Sequence, residues 1–103
     1  MTLEQEFLQD MIGGDDILRK QYGYNATYFR QMVAEHGGVE AARLLLRSKD
    51  AQAGLTTLWE LGRLDMSMEQ LVLRAKYRSL FTEEERAIAR KRLRDLGYEP
   101  RMD

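Results

Sequence analysis

Residues 82–97 read TEEERAIARKRLRDLG, and this stretch carries both the start and the stop signal of one helix. The hydroxyl of Thr82 can accept from the backbone N–H of Glu85, while the Glu85 carboxylate reaches back to the N–H of Thr82. Gly97 can adopt the left-handed conformation that ends helices, and Pro100 prevents the helix from resuming. The inward-facing residues predicted for this helix are Ile88, Ala89, Leu93 and Leu96.

Further helix signals divide the rest of the chain. They are Thr2 with Gln5, Asn25 with Gly37, Gly62 after Glu60-Leu61, and Ser67 with Gln70. No segment shows the strict apolar–polar alternation of a half-buried strand. We therefore predict an all-α fold, a single compact domain of six or seven mostly short helices with a long C-terminal helix. Helices this short favour a two-layer cluster over a four-helix bundle.

Glycines and acidic residues divide the first 23 residues into two predicted helices. The first spans about residues 3–12 and is broken by Gly13-Gly14. Asp15 or Asp16 then caps a second short helix, which ends at Gly23. Asn25 caps a third helix, whose residues Phe29, Met32, Val33 and His36 have the spacing of a buried stripe.

The remaining helices are predicted from their apolar residues. A helix over about residues 39–47 carries three consecutive leucines, which cannot share one narrow stripe, so we expect it at the centre of the fold. Residues 48–50 form a connection, and a short helix follows that ends at Gly62. Ser67 caps a helix with an apolar stripe of Met68, Leu71, Val72 and Ala75. The predicted core includes Phe29, Leu45, Trp59 and Leu93.

Composition places the chain among ordinary globular proteins. Its 103 residues are 44% apolar and 32% charged, which suits one domain with one core. It contains no cysteine, so disulfides, thiolate catalysis and Cys-ligated zinc are excluded. No apolar run approaches the ~18 residues of a membrane span. The N-terminal residues 1–6 are acidic where a signal peptide would be basic, and we expect a cytoplasmic protein with no membrane contact.

Charge is unevenly distributed although the net charge is only −1. Residues 1–16 contain five acids and no base, whereas residues 74–101 contain nine bases and five acids. Segments of opposite sign attract each other. They are expected to meet either within one molecule or between two.

Several segments carry a resemblance when they are taken together. They are Tyr24-Asn25-Ala26-Thr27-Tyr28-Phe29, Gly37-Gly38-Val39-Glu40, Leu58-Trp59-Glu60-Leu61-Gly62-Arg63-Leu64, and Phe81-Thr82-Glu83-Glu84-Glu85 through Ala89-Arg90 and Arg92-Leu93 to Gly97-Tyr98. This pattern resembles a small helical module of uncharacterised bacterial proteins. The resemblance implies a helical fold and a bacterial origin, and it carries no activity or functional residues. It covers residues 22–98 as a core module and leaves residues 1–21 as an N-terminal helical extension of the single domain.

Residues that typically carry catalysis are sparse. His36 is the one histidine, and it precedes Gly37 at a helix C-terminus, where the helix dipole favours a cation. Asp15-Asp16 and Glu83-Glu84-Glu85 stand at predicted helix starts, where acids are favoured without any chemistry. Neither glycine doublet has the context of a phosphate-binding loop. We therefore predict no enzyme, no metal and no cofactor.

Arginines are the strongest candidate for binding. Arg86, Arg90 and Arg94 are spaced i, i+4, i+8 and form one ridge along the last helix, preceded by Arg74, Lys76 and Arg78. Such a row is either a solvated face with local ion pairs or a surface that contacts phosphates or an acidic partner. A helix-turn-helix drawn through Gly62 is disfavoured, because its second helix begins with Met68-Glu69 rather than with basic residues.

Tyrosine adds a second candidate surface, since Tyr and Arg are enriched at protein interfaces. Tyr28 and Arg30 beside the arginine ridge would form a docking face. We predict a non-catalytic helical interaction module that binds another protein or a second copy of itself through Arg86, Arg90, Arg94, Tyr28 and Arg30. The alternative is a nucleic-acid-binding protein that uses Arg74, Lys76, Arg78, Arg86, Arg90 and Arg94.

Overall fold

The computed structural model describes residues 1–49 and 51–103, and for Ala51 it describes the backbone only. In this part of the chain the fold contains helices and no strand, which confirms the predicted all-α class. The α-helices are α1 (Leu3–Tyr22), α2 (Thr27–His36), α3 (Gly38–Arg47), α4 (Ala51–Glu60), α5 (Met68–Val72) and α6 (Glu83–Asp95). Two 3₁₀ helices, Leu64–Met66 and Ala75–Leu80, flank α5. The longest helix is α1, with 20 residues, rather than the C-terminal one.

Helix α1 runs without interruption through Gly13 and Gly14, so the predicted break there is wrong. Two interior glycines cost roughly 1 kcal/mol each relative to alanine. Burial of the side chains of Phe7, Met11 and Leu18 on one face of the helix offsets that cost. Asp15 is consequently a mid-helix residue and does not cap a second helix.

Helix α2 also starts differently from the prediction. Its N-cap is Ala26, with no side-chain hydrogen bond, and the Asn25 carboxamide oxygen accepts from Arg30 instead. No residue of α2 is fully buried: Phe29 and Val33 pack partly on the core, and His36 is exposed. The buried stripe predicted for this helix is therefore only a half-buried edge.

Helix α3 lies at the centre, as predicted. It packs against α1, α2, α5 and α6. Ala41, Ala42, Leu45 and Leu46 are buried, whereas Leu44 is only half-buried. The predicted connection over residues 48–50 is described only for Ser48 and Lys49, because Asp50 lies outside the described residues.

The strongest start and stop signals are confirmed. Thr82 and Glu85 form the capping box, with Thr82 Oγ1 accepting from the Glu85 N–H at 3.1 Å and Glu85 Oε1 from the Thr82 N–H at 2.9 Å. At the other end Gly97 has φ of 79°, and the N–H of Tyr98 bonds the carbonyl of Leu93 at 3.0 Å. These bonds satisfy the last carbonyls of α6 and turn Tyr98 back onto the core.

The helix that begins at Ser67 is shorter than predicted. Ser67 caps it by accepting from the Gln70 N–H at 3.0 Å, but α5 ends at Val72, and Ala75 is exposed. The chain then continues in the second 3₁₀ helix, which buries Tyr77 and Leu80. The predicted stripe through Ala75 is therefore wrong in its last residue.

Trp59 is 51% exposed, so its placement in the core was wrong, whereas Leu45 and Leu93 are buried as predicted. Its neighbour Leu58 is only 6% exposed and faces the core instead. We expect Leu58→Ala to lower the free energy of unfolding by about 2–4 kcal/mol and Trp59→Ala by less than about 1 kcal/mol. Urea denaturation of both variants measures the difference, and a larger loss for Trp59→Ala would contradict the placement.

Candidate functional site

A cavity of ≈ 570 Å³ opens between α1, residues 24–29, α4 and the segment that contains α5. This volume lies within the range of about 300–1,000 Å³ that is typical of ligand pockets. Its walls are mainly apolar, and the apolar residues include Met11, Leu18, Phe29, Leu55, Leu58 and Met66. Tyr28, which is 49% exposed, stands at its edge.

Tyr24 closes one side of the cavity against α4. Its hydroxyl lies 3.5 Å from the carbonyl oxygen of Gly54. A Cβ atom at position 54 would stand 3.0 Å from this hydroxyl oxygen, so a glycine allows the close approach. Burial, followed by the charges of Glu69 and Asp15, raises the pKa of Tyr24, which keeps the hydroxyl protonated near neutral pH.

Asp15 is the most unusual polar group in the cavity wall. It is 8% exposed, and Oδ1 forms no hydrogen bond. Oδ2 lies 3.4 Å from Arg30 and 3.9 Å from Arg19. The sequence predicts that Asp15 or Asp16 caps a helix, because the glycines before them resemble a break. Its position on the buried face, four residues after Met11, was the signal that pointed elsewhere.

Glu69, which lines the cavity, forms a buried ion pair with Arg92, with 3.2 Å between Oε2 and Nη1. Arg92 also donates to the carbonyls of Leu45, Leu46 and Ser48 at 3.2, 2.7 and 2.9 Å, and so satisfies the C-terminal end of α3. Burial raises the pKa of Glu69 although Arg92 opposes the shift. The arrangement joins α3, α5 and α6, and the sequence does not predict it because Arg92 stands in a charged run and Glu69 is 23 positions away in the chain.

The acidic N-terminal segment meets the basic segment within one molecule. Lys76 Nζ lies 3.3 Å from Glu6 Oε1, and the Tyr77 hydroxyl donates to Asp10. Burial and then the bond to Asp10 raise the pKa of Tyr77. Of the two expected arrangements of these segments, contact within the molecule is therefore present.

The arginine ridge of the last helix is not a continuous exposed row. Arg86 is only 3% exposed, because it lies on the buried side of α6 with Ala89 and Leu93. Its guanidinium pairs with Glu83 at 3.2 Å. Arg94 pairs with Glu99 at 2.8 Å, and this bond lowers the pKa of the Glu99 carboxyl. Arg90 is half-buried and forms no ion pair within the described residues.

The basic residues before α6 are exposed but mostly engaged. Lys76 pairs with Glu6, and Arg78 lies 3.5 Å from Glu83, whereas Arg74 stands at the cavity edge without an ion pair among the described residues. The helix-turn-helix that could be drawn here is absent from the described chain. Its second helix would be α5, which has five residues and buries Glu69 and Gln70.

Tyr28 and Arg30 lie beside the cavity and not beside the arginines of α6. Helix α2 packs chiefly on α3, while α6 packs on α5 and α3. Arg30 is held by Asp15 and Asn25, which leaves Tyr28 as the freely exposed member of the pair. The predicted docking face therefore divides into two separate surfaces.

His36 stands at the C-terminal end of α2, as the sequence predicts, but it is exposed and not part of a buried stripe, and Glu35 lies 3.8 Å away. Within residues 1–49 and 51–103, no group of three or more His, Asp or Glu side chains is placed to hold a metal ion. No described helix combines the length and the apolarity that crossing a membrane requires.

Comparisons with known proteins give no relative: no family model, no curated protein and no solved structure matches the chain. The resemblance to a bacterial helical module therefore stays a prediction.

Proposed function

We propose that this chain is a non-catalytic helical interaction module that binds another protein in the cavity between α1, α4 and α5. The observation that carries the proposal is the cavity itself, which has apolar walls and an exposed tyrosine, Tyr28, at its edge. Binding sites are typically concave and apolar, with a few placed polar groups. Tyrosine is among the residues that contribute most to binding energy at interfaces.

The polar groups around the cavity support binding rather than catalysis. Glu69 is held by Arg92, and Asp10 accepts from Tyr77. A general base needs a nucleophile or an orienting group within hydrogen-bond reach. The one histidine, His36, is at the far end of α2 and is not among the residues that line the cavity.

Nucleic acid is the less supported partner. Affinity for nucleic acid depends on free cations that replace counterions along the phosphates. Of the six basic residues in that alternative, Lys76, Arg78, Arg86 and Arg94 are already paired with carboxylates. Only Arg74 and Arg90 are without an ion pair among the described residues, and they lie on different elements.

We place the module in the bacterial cytoplasm. The support is the resemblance of residues 22–98 and the absence of cysteine from the sequence. Disulfides are rare in proteins of a reducing compartment.

A substitution at the cavity edge tests the proposed function. Ala53 is exposed and lines the cavity, whereas its exposed neighbour Gln52 does not. We expect Ala53→Trp to obstruct the cavity and weaken capture of the protein partner at least about tenfold, with Gln52→Trp unchanged within about twofold. Affinity capture from a native bacterial lysate followed by mass spectrometry measures both variants beside the unmodified chain.

Sedimentation of the purified chain completes the test by detecting self-association. A partner that both tryptophan variants retain equally would place the binding surface elsewhere and contradict the proposal. Failure to capture any partner, together with a strictly monomeric sedimentation profile, would also contradict it.

A further inference from the structure

The carboxylate of Asp15 is only partly neutralised by its neighbours. Each arginine near Oδ2 has a closer partner of its own: Arg19 donates to Asp16 at 2.5 Å, and Arg30 donates to Asn25. Their distances to Asp15, 3.9 and 3.4 Å, exceed those of good charged hydrogen bonds. Oδ1 has no hydrogen-bond partner although the residue is more than nine-tenths buried. A buried carboxylate with an empty acceptor favours a cationic donor.

The other charged residues of the cavity wall also favour the binding of a cation. Asp10, Asp65 and Glu69 line the cavity with Asp15, and Arg74 is the single basic residue among the described lining residues. Glu69 is compensated by Arg92, and Asp65 by Arg63 at 3.1 Å. The excess of acids remains, and in a cavity with apolar walls such an excess attracts cations more strongly than in open water.

The apolar walls of the cavity indicate which kind of molecule carries the cation. Aliphatic and thioether side chains, such as Leu18, Leu55 and Met66, make up most of the apolar lining. A hydrated inorganic cation gains nothing from such walls, whereas aliphatic groups next to an ammonium bury area favourably. A lysine side chain combines both features, since its methylene stem packs on apolar surface and its ammonium group donates three hydrogen bonds.

The lining of the cavity comes from several separate parts of the chain. Its lining runs from Asp10 in the middle of α1 to Tyr28 at the start of α2 and to Arg74 beyond α5. Exposed residues of α4, Ala53 and Thr57, border the same cavity. A volume of ≈ 570 Å³ bordered by several elements suits a short peptide segment with more than one side chain inside the cavity.

We propose that the occupant of the cavity is a segment of the partner protein in which a lysine stands between apolar residues, with the lysine ammonium bound by Asp15. The inference rests on the proposed function and names the chemistry of the partner. The apolar side chains on either side of the lysine pack on the apolar walls, and the lysine stem passes between them. Charge complementarity selects this segment over acidic and neutral ones.

Three blocked peptides test the charge requirement on the unmodified full chain. They are Leu-Lys-Leu, the same peptide with norleucine in place of lysine, and the same peptide with glutamate. Backbone amide shifts of Gly14 and Gly54, which line the cavity, report binding, and Gly97 at the end of α6 is the reference. We expect the lysine peptide to bind at least about tenfold more tightly than the norleucine peptide and the glutamate peptide not to bind.

Variants of adjacent aspartates assign the effect to one carboxylate. Asp15→Asn is expected to abolish the preference for lysine over norleucine. Asp16→Asn is the matched control, because Asp16 is only half-buried, pairs with Arg19 and does not line the cavity. It is expected to keep the preference within about twofold. If Asp15→Asn fails to fold, the three peptides on the unmodified chain still decide the question.

The outcomes separate this inference from the proposed function. Equal binding of the lysine and norleucine peptides would overturn the role of charge while leaving an apolar docking cavity. Equal affinity for hexylammonium alone would overturn a peptide occupant in favour of a small organic cation. If no peptide shifts Gly14 or Gly54, the inference is overturned, and capture with the Ala53→Trp variant still judges the proposed function.

Discussion

Replacing Phe7 by alanine is expected to lower the free energy of unfolding by about 3–5 kcal/mol. The side chain is 0% exposed, and its ring lies 5.1 Å from that of Tyr77 in an edge-to-face arrangement and 5.2 Å from that of Phe81. Such pairs add about 0.5–1.5 kcal/mol to the burial of area. A loss of this size is about a fifth or more of the stability of an ordinary domain, which is about 5–15 kcal/mol.

The matched control is Ile12→Ala on the same helix. Ile12 is 44% exposed, so we expect a loss below about 1 kcal/mol. Urea denaturation followed by circular dichroism measures both variants. Similar losses for the two would show that α1 does not pack on the rest of the chain as described.

A truncation extends this prediction to the whole of α1. The helix packs on α3, α5 and the second 3₁₀ helix, and Phe7, Met11 and Leu18 are part of the core. A chain that lacks residues 1–22 is therefore expected to lose cooperative unfolding. Residues 1–21, which the sequence predicts as an N-terminal extension of residues 22–98, supply one wall of the core. A cooperative transition in the truncated chain would contradict this.

Replacing Arg92 by methionine is expected to cost about 3–5 kcal/mol, which is the second large effect. The substitution leaves Glu69, which is 4% exposed, as a buried charge without its partner. It also removes the donors from three carbonyls at the end of α3. Lys91→Met is the matched control, because Lys91 is exposed and forms one surface pair with Asp95. Its expected loss is at most about 0.5 kcal/mol.

The cost of Arg92→Met is expected to depend on pH. Burial raises the pKa of Glu69 above its ordinary value of 4.5, so the folded chain holds this proton more tightly than the unfolded chain. Stability from this group is complete below the ordinary pKa and is lost as pH rises through the raised one. Without Arg92, whose charge and hydrogen bond lower the pKa, the rise is larger. The deficit of the variant should therefore grow as pH rises above the ordinary pKa of 4.5.

A second substitution isolates the unpaired charge. Glu69→Gln in the Arg92→Met background is expected to recover more than about 1 kcal/mol at neutral pH, because a neutral amide costs less to bury than a carboxylate. The double-mutant cycle then gives the coupling between the two residues. A pH-independent deficit with no recovery would show that the carbonyls of α3, and not Glu69, account for the loss.

Local sequence signals predicted the ends of helices well where the cap involves only a few neighbouring residues. The capping box of Thr82, the cap of Ser67 and the stop at Gly97 depend on backbone groups within a few positions, and all three are present. The signals failed at Gly13-Gly14 and at Asn25. There the outcome depended on what the flanking residues packed against, and propensities of about 1 kcal/mol are smaller than the energy of that packing.

The candidate site was less predictable than the fold. Tyr28 was identified from its type and lies at the cavity edge, but Asp15 was interpreted as a cap and Glu69 as part of an unsuitable reading helix. Arg86 was expected on an exposed ridge and is buried. Charged residues look solvated in a sequence, and only the helices packed around them determine which ones lose water.

The sequence by itself determined that this protein is helical, where most of its helices begin and end, and that Leu45 and Leu93 belong to the core. These properties follow from hydrogen bonds and periodicities that extend over one or two helical turns. The tertiary structure alone decided that α1 is continuous, that Arg92 satisfies the end of α3, and that Asp15 lines a cavity. Each of these depends on residues far apart in the chain, whose contacts no local pattern records.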